Sequence, residues 1–173
     1  MDSYLERLRQ ELEDAMAGAT PAGLGKGPAG KWTPAQVLEH LFLTYHSTNK
    51  GLARCLETGT PLATRPTLRN NIRSFVVVNL GYFPRGRKAP ERTIPKGMPA
   101  EEVQRAILAE IHRMDAGLTE CERKFGSGSK LLDHPVLGPF TAQQWRKFHW
   151  VHGRHHAGQI RERLAKDWGF KSA

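Results

Sequence analysis

Apolar positions recur at helical spacing through most of the chain, and the helices they predict are separated by breaks rich in Gly and Pro. Leu5, Leu8, Leu12, Ala15 and Met16 line one face of a segment over Asp2–Met16, which predicts an amphipathic helix. "GATPAGLGKGPAGK" (18–31) then reads as a loop. In "KWTPAQVLEHL", Thr33 is an N-cap and Pro34 falls at the first helical position, where its missing N–H costs nothing. Gln36, three residues on, closes a capping box. This helix is predicted from Pro34 to about Leu56, with Val37, Leu38, Leu41, Tyr45, Leu52 and Cys55 turned inward. "TGTPLATRP" breaks it.

A third helix is predicted over Thr67–Leu80. Its run Phe75-Val76-Val77-Val78 would suit a strand, but no partner strand is in sight. "GYFPRGRKAPERTIPKGMP" (81–99) reads as an irregular basic loop, of a length usual for functional or mobile segments. The next helix starts after Pro99, where Glu101 and Glu102 suit a helix N-terminus. Its stripe is Val103, Ile107, Leu108, Ile111, Met114 and Leu118, and it ends near "KFGSGSK". Thr141 and Gln144 form a second capping box, and the last helix is predicted to run to about Trp168. No strand alternation and no internal repeat is visible. The expected fold is all-α: an antiparallel four-helix bundle with an additional short helix and long irregular loops, in a single domain over 1–173.

Composition narrows the class. The 173 residues are 39% hydrophobic and 25% charged, apolar enough for a packed core and too apolar for a disordered chain. Cys55 and Cys121 have no CxxC partner, so they read as reduced, buried thiols. Met1–Ala17 is acidic and amphipathic, unlike a signal peptide, and the longest apolar run is too short to span a bilayer. A cytoplasmic protein without membrane contact is expected. The net charge of +9 would permit nucleic-acid binding, but the basic residues are spread along the chain. The densest cluster is Arg85, Arg87, Lys88 and Arg92, and no nucleic-acid-binding motif accompanies it. Nucleic acid is therefore not the expected partner.

The chemistry concentrates in "FHWVHGRHHAGQIRERL", which holds four of the eight histidines. At about 100° per residue, His152 and His156 fall within about 40° of each other, and His155 points about 100° away from His156. An i, i+4 pair of imidazoles can ligate one metal from a single helix. A catalytic site of this kind needs a third protein ligand and an open position. His40 is the candidate donor, because it sits on or beside the buried stripe of the second helix, where an unpartnered imidazole is costly. The candidate ligands are thus His40, His152 and His156. His149 shares their face as a neighbour or proton shuttle, and Gln159 could hold an imidazole N–H. Arg163 is a candidate for an anionic substrate group and Tyr45 for a proton donor. His46 and His112 read as surface residues, and His134, before Pro135, as a turn former. Gly153 within the ligand helix costs about 1 kcal/mol relative to Ala, and reads either as a point of close approach or as a degenerate site.

These residues resemble a known family. "WTPAQVLEHL" resembles the second-helix motif of the DinB/YfiT-like superfamily, Trp-Ser/Thr-x-x-x-Val/Ile-Leu/Val-x-His-Leu. "HGRHHAGQI" resembles its last-helix motif, His-x-x-His-His-x-Gly-Gln-Ile/Leu, and "HPVLGPFTAQQW" resembles a branch long known only as a domain of unknown function. The segment 66–99 matches nothing in that pattern. The resemblance implies a four-helix bundle in which His40, His152 and His156 bind one divalent metal: zinc or nickel, or else iron or manganese. It further implies S-transfer or isomerisation with a low-molecular-weight thiol as cosubstrate, a small-molecule substrate, and a homodimer.

Three neutral imidazoles leave the full charge on a bound ion and favour an anionic fourth ligand. Two reaction classes stay open on that basis, metal-assisted hydrolysis and thiol transfer. The rival is a non-catalytic helical module that uses its basic loop on an acidic partner. No triad nucleophile is evident, and "GLGKGPAG" follows a helix rather than a strand, which excludes a P-loop.

Overall fold

The computed structural model describes residues 1–79 and 89–165. Helix α1 covers Ser3–Met16, with Asp2 as N-cap accepting from the Tyr4 amide at 2.8 Å. Its five predicted apolar residues are all buried. Helix α2, Pro21–Leu24, is a single turn inside the stretch expected to be loop, started by Thr20 and Pro21. Helix α3 spans Pro34–Thr58, two residues beyond the expected end, and stops at Gly59 in the left-handed conformation (φ 71°). The Thr33–Gln36 capping box is formed in both directions.

The segment expected to be one helix over 67–80 is helix α4, Leu68–Ser74, running into a π-helical turn over Phe75–Asn79. Three consecutive valines crowd an α-helical ladder, which gives a reason for the wider turn. A 3₁₀ turn covers Glu91–Thr93. Helix α5, Ala100–Phe125, follows Pro99 as expected. The expectation of a wholly helical chain needs one correction. Strands β1 (Leu132–His134) and β2 (Gly138–Phe140) pair antiparallel, with Leu132 opposite Phe140. Three-residue strands are too short to show a two-residue period in sequence. Helix α6 covers Ala142–Leu164, and the Thr141–Gln144 capping box is formed. Trp168, the expected end, and the basic residues Arg85, Arg87 and Lys88 lie outside the described residues.

The fold is mostly helical. Helix α3 packs on α5, α1 on α6, and α3 on α6. Leu5, Leu8, Leu12, Val37, Leu38, Leu41, Ile107, Ile111, Met114 and Ile160 are fully buried between them. Arg146 ties α6 to α5 through Glu122 (2.7 Å), and Arg161 ties it to α1 through Glu11 (2.6 Å). Both cysteines are buried and free. Among the described residues, no helix is long and apolar enough to cross a membrane.

Close approach explains Gly153. A Cβ there would overlap Leu8 Cδ1 of α1 and lie 2.9 Å from Tyr45 Oη of α3. The glycine lets two helices meet α6 beside the histidines. At Gly158, on the same helix, a Cβ would meet nothing within 4 Å. Gly153→Ala is therefore expected to destabilise the fold by about 1–3 kcal/mol. Gly158→Ala is expected to be neutral or stabilising by up to about 1 kcal/mol. Urea denaturation of the two variants checks the difference; equal stability would contradict it.

Candidate metal centre

Helix α6 presents His152 and His156 one turn apart, and α3 presents His40 against them. The ring centroids are 5.4 Å (His40–His152), 4.9 Å (His40–His156) and 4.6 Å (His152–His156) apart. One nitrogen of each ring lies within 4.8 Å of the other two. His40 and His152 are buried, and His156 is half-buried. The three histidines lie close enough to bind one metal ion.

Hydrogen bonds fix which nitrogens are free for it. His40 Nδ1–H donates to the Thr93 carbonyl at 2.8 Å, which leaves the Nε2 lone pair for a ligand. His156 Nδ1–H donates to Gln159 Oε1 at 3.0 Å, with the same result. Nε2 of His156 and Nε2 of His152 then face each other at 3.1 Å. Without an ion, only a proton on one of them makes that approach favourable. Burial pushes all three imidazoles below their ordinary pKa: His156 to about 3, His152 far down, and His40 down against the opposing pull of the Thr93 carbonyl. Three neutral rings with converging lone pairs fit a divalent cation, and nitrogen-only coordination fits several first-row ions.

The model of a family described as a protein of unknown function (DUF1569) matches residues 10–163, from within α1 past all three histidines. The chain belongs to this family. No curated protein and no solved structure matches it.

In this DUF1569 member the histidine cluster opens into a cleft of about 1580 Å³. Trp32, Val77, Leu132, Leu137 and Phe148 form apolar walls, and Lys31, Arg73, Arg92 and Arg163 also line it. Asp133 and Glu162 lie there too, Asp133 with both carboxylate oxygens accepting from the Thr64 amide (3.1 and 3.2 Å). The balance of side chains favours an anionic ligand. Phe148 stacks on His152 at 5.4 Å, and Trp32 lies 5.2 Å from His40.

The remaining expectations sort by geometry. Gln159 is the hydrogen-bond partner of His156 Nδ1–H. His155 is exposed and meets Gln159 Nε2 at 3.1 Å. His149 is fully buried, but its neighbours are Thr48, Tyr45, Trp145 and Phe148. The Thr48 hydroxyl donates to the Thr44 carbonyl and accepts from His149 Nε2–H, both at 3.2 Å. Tyr45 is buried with its hydroxyl against Gly153, not in the cleft lining, and burial makes it a weaker acid. His134 does form a turn: its Nδ1 accepts from the Val136 and Leu137 amides (3.2 and 3.1 Å). His134 also lines the cleft and packs 4.6 Å from Phe148. His46 pairs with Glu110 at 3.3 Å, and His112 is exposed.

Sequence reasoning missed Thr93 and Glu39. A carbonyl contributed by a residue far along the chain leaves no trace in residue type. Glu39 could have been noticed as a carboxylate directly beside a candidate ligand.

Proposed function

We propose that the chain is a divalent-metal-dependent enzyme of the DinB/YfiT-like kind, a single four-helix-bundle domain acting on a small molecule with a low-molecular-weight thiol as cosubstrate. One observation carries the reading: three neutral imidazoles from two helices converge beside an open cleft, two of them held through Nδ1 so that Nε2 is free. The packing of α1, α3, α5 and α6 supports the bundle. The resemblance of "WTPAQVLEHL" and "HGRHHAGQI" to that superfamily's ligand motifs supports the class.

A divalent ion held by His40, His152 and His156 would supply a Lewis acid, lowering the pKa of a thiol or water so that it loses its proton to solvent near neutral pH. The chain's own residues do the rest. Thr93 and Gln159 hold His40 and His156 in the tautomer that keeps Nε2 bare. Phe148 and Leu137 give the site an apolar wall, and Arg163 and Arg92 offer charge to an anionic substrate group.

The test is metal analysis followed by spectroscopy. Protein stripped with chelator and dialysed against cobalt, zinc or nickel is expected to retain a single ion per chain. The cobalt form is expected to develop a thiolate charge-transfer band when cysteine is added. No retained ion overturns the metal reading. Retained cobalt without the band overturns the thiol reading and leaves hydrolysis as the reaction class.

A further inference from the structure

The segment that closes one side of the cleft is fastened to α3 at two adjacent residues. Ala89, Pro90, Arg92, Thr93 and Ile94 line the cleft. The Thr93 carbonyl accepts from His40 Nδ1–H at 2.8 Å. Three residues on, the buried Glu39 carboxylate accepts from three successive amides: Lys96 (2.6 Å), Gly97 (3.0 Å) and Met98 (3.0 Å). Such a nest forms only when consecutive N–H groups turn toward one anion, and Gly97, at φ +93°, supplies the turn. The 3₁₀ turn before it is closed by Thr93, whose amide and hydroxyl both donate to the Pro90 carbonyl at 2.9 Å.

His152 and His156 are set by one helix. His40 is different, because a half-turn of its ring about χ2 would put Cδ2 in the place of Nδ1 and Cε1 in the place of Nε2, taking the lone pair off the cluster. The Thr93 carbonyl, by accepting from Nδ1–H, holds the ring in the orientation that keeps Nε2 on the cluster, and the Glu39 nest decides where Thr93 sits. The same imidazole therefore carries the candidate metal position on one nitrogen and the cleft wall on the other. A cation on Nε2 makes Nδ1–H a stronger donor, so occupancy and the order of the wall reinforce each other.

We propose that Glu39 is a positioning residue for the metal centre: by anchoring 96–98 it holds the Thr93 carbonyl on His40 and couples ion binding to the order of the cleft wall. This rests on the metal reading above.

Cobalt binding by the full chain, followed by titration, tests it. Glu39→Ala is expected to weaken cobalt binding by about 10- to 100-fold, the range for loss of a group that orients a ligand. Glu39→Gln, which keeps one acceptor, is expected to lie between. Leu118→Ala is the stability control, since Leu118 follows Gly117, which meets Leu52, more than three turns along α3 from His40. It is expected to lower the melting temperature while binding cobalt as wild type does. In hydrogen exchange of wild type, cobalt is expected to slow the amides of Lys96, Gly97 and Met98 by about tenfold or more, which a merely structural Glu39 would not produce. Wild-type affinity in both Glu39 variants overturns the proposal, and so does exchange at 96–98 that ignores cobalt. Failure of wild type to bind cobalt overturns the metal reading, and this inference with it.

Discussion

His152→Ala is expected to weaken zinc or nickel binding by about two orders of magnitude or more, while the metal-free chain stays folded. Structural zinc sites with four protein ligands bind with about 10–16 kcal/mol, or about 3 kcal/mol per ligand on equal division. That is a factor of about 10² in affinity for one ligand. The geometry makes His152 the least replaceable of the three. Its ring is stacked on Phe148, and its Nε2 lies 3.1 Å from that of His156, so no other side chain can take its place without a shift of α6. In the metal-free chain the loss is milder, since His152 and His156 share at most one proton between their facing nitrogens. Competition titration against a colorimetric chelator gives the affinity, and melting in excess chelator gives the stability. His112→Ala, at an exposed position on α5, is expected to change neither. Binding by His152→Ala within a few-fold of wild type would sink the three-histidine site.

The clustering of His40, His152 and His156 was legible because each rests on a short-range signal. The two capping boxes fix where α3 and α6 begin, and a fixed start sets the helical phase of His40, His152 and His156. What was not legible depends on distant backbone. Glu39 is satisfied by amides more than fifty residues away, and no side-chain pattern at 96–98 announces them. Gly153 read either as a point of close approach or as a degenerate site, and which helix comes close was hidden: it is the one that carries Leu8, at the other end of the chain. His149 shared the wheel face of the ligands, but a wheel gives direction and not depth. One turn before His152 it meets α3 at Tyr45 and Thr48 instead of the cluster. The hairpin was hidden by its brevity, although His134 before Pro135 read as a turn former. Gly138, at φ +82°, has no room for a Cβ against Asn70, which seats α4 on the hairpin at the edge of the cleft.

Acid is expected to unfold the metal-free protein well above the pH at which carboxylates titrate. Burial, helped by the neighbouring His134, holds His149 at a pKa of about 3, and burial holds His134 at about 4. In the unfolded chain both return to about 6.5. Above that value neither state binds a proton, and stability does not change with pH. Below it the unfolded chain takes up protons that the folded chain refuses, so stability falls as pH falls, from about 6.5 down to about 4 for His134 and about 3 for His149. Each group contributes about 1.4 kcal/mol per pH unit inside its window, and the pair about 3 kcal/mol per unit. Two pH units of that slope approach the whole stability of an ordinary domain, about 5–15 kcal/mol. The urea midpoint in excess chelator is therefore expected to fall steeply between pH 6 and pH 4, with at least the two protons of His134 and His149 taken up on unfolding and those of His40, His152 and His156 adding to them. His149→Gln keeps a neutral side chain within reach of Thr48 and is expected to remove about one proton from that slope, whatever it does to stability at neutral pH. A midpoint flat across this range, or a slope unchanged in His149→Gln, would show that these imidazoles are not held neutral by the fold.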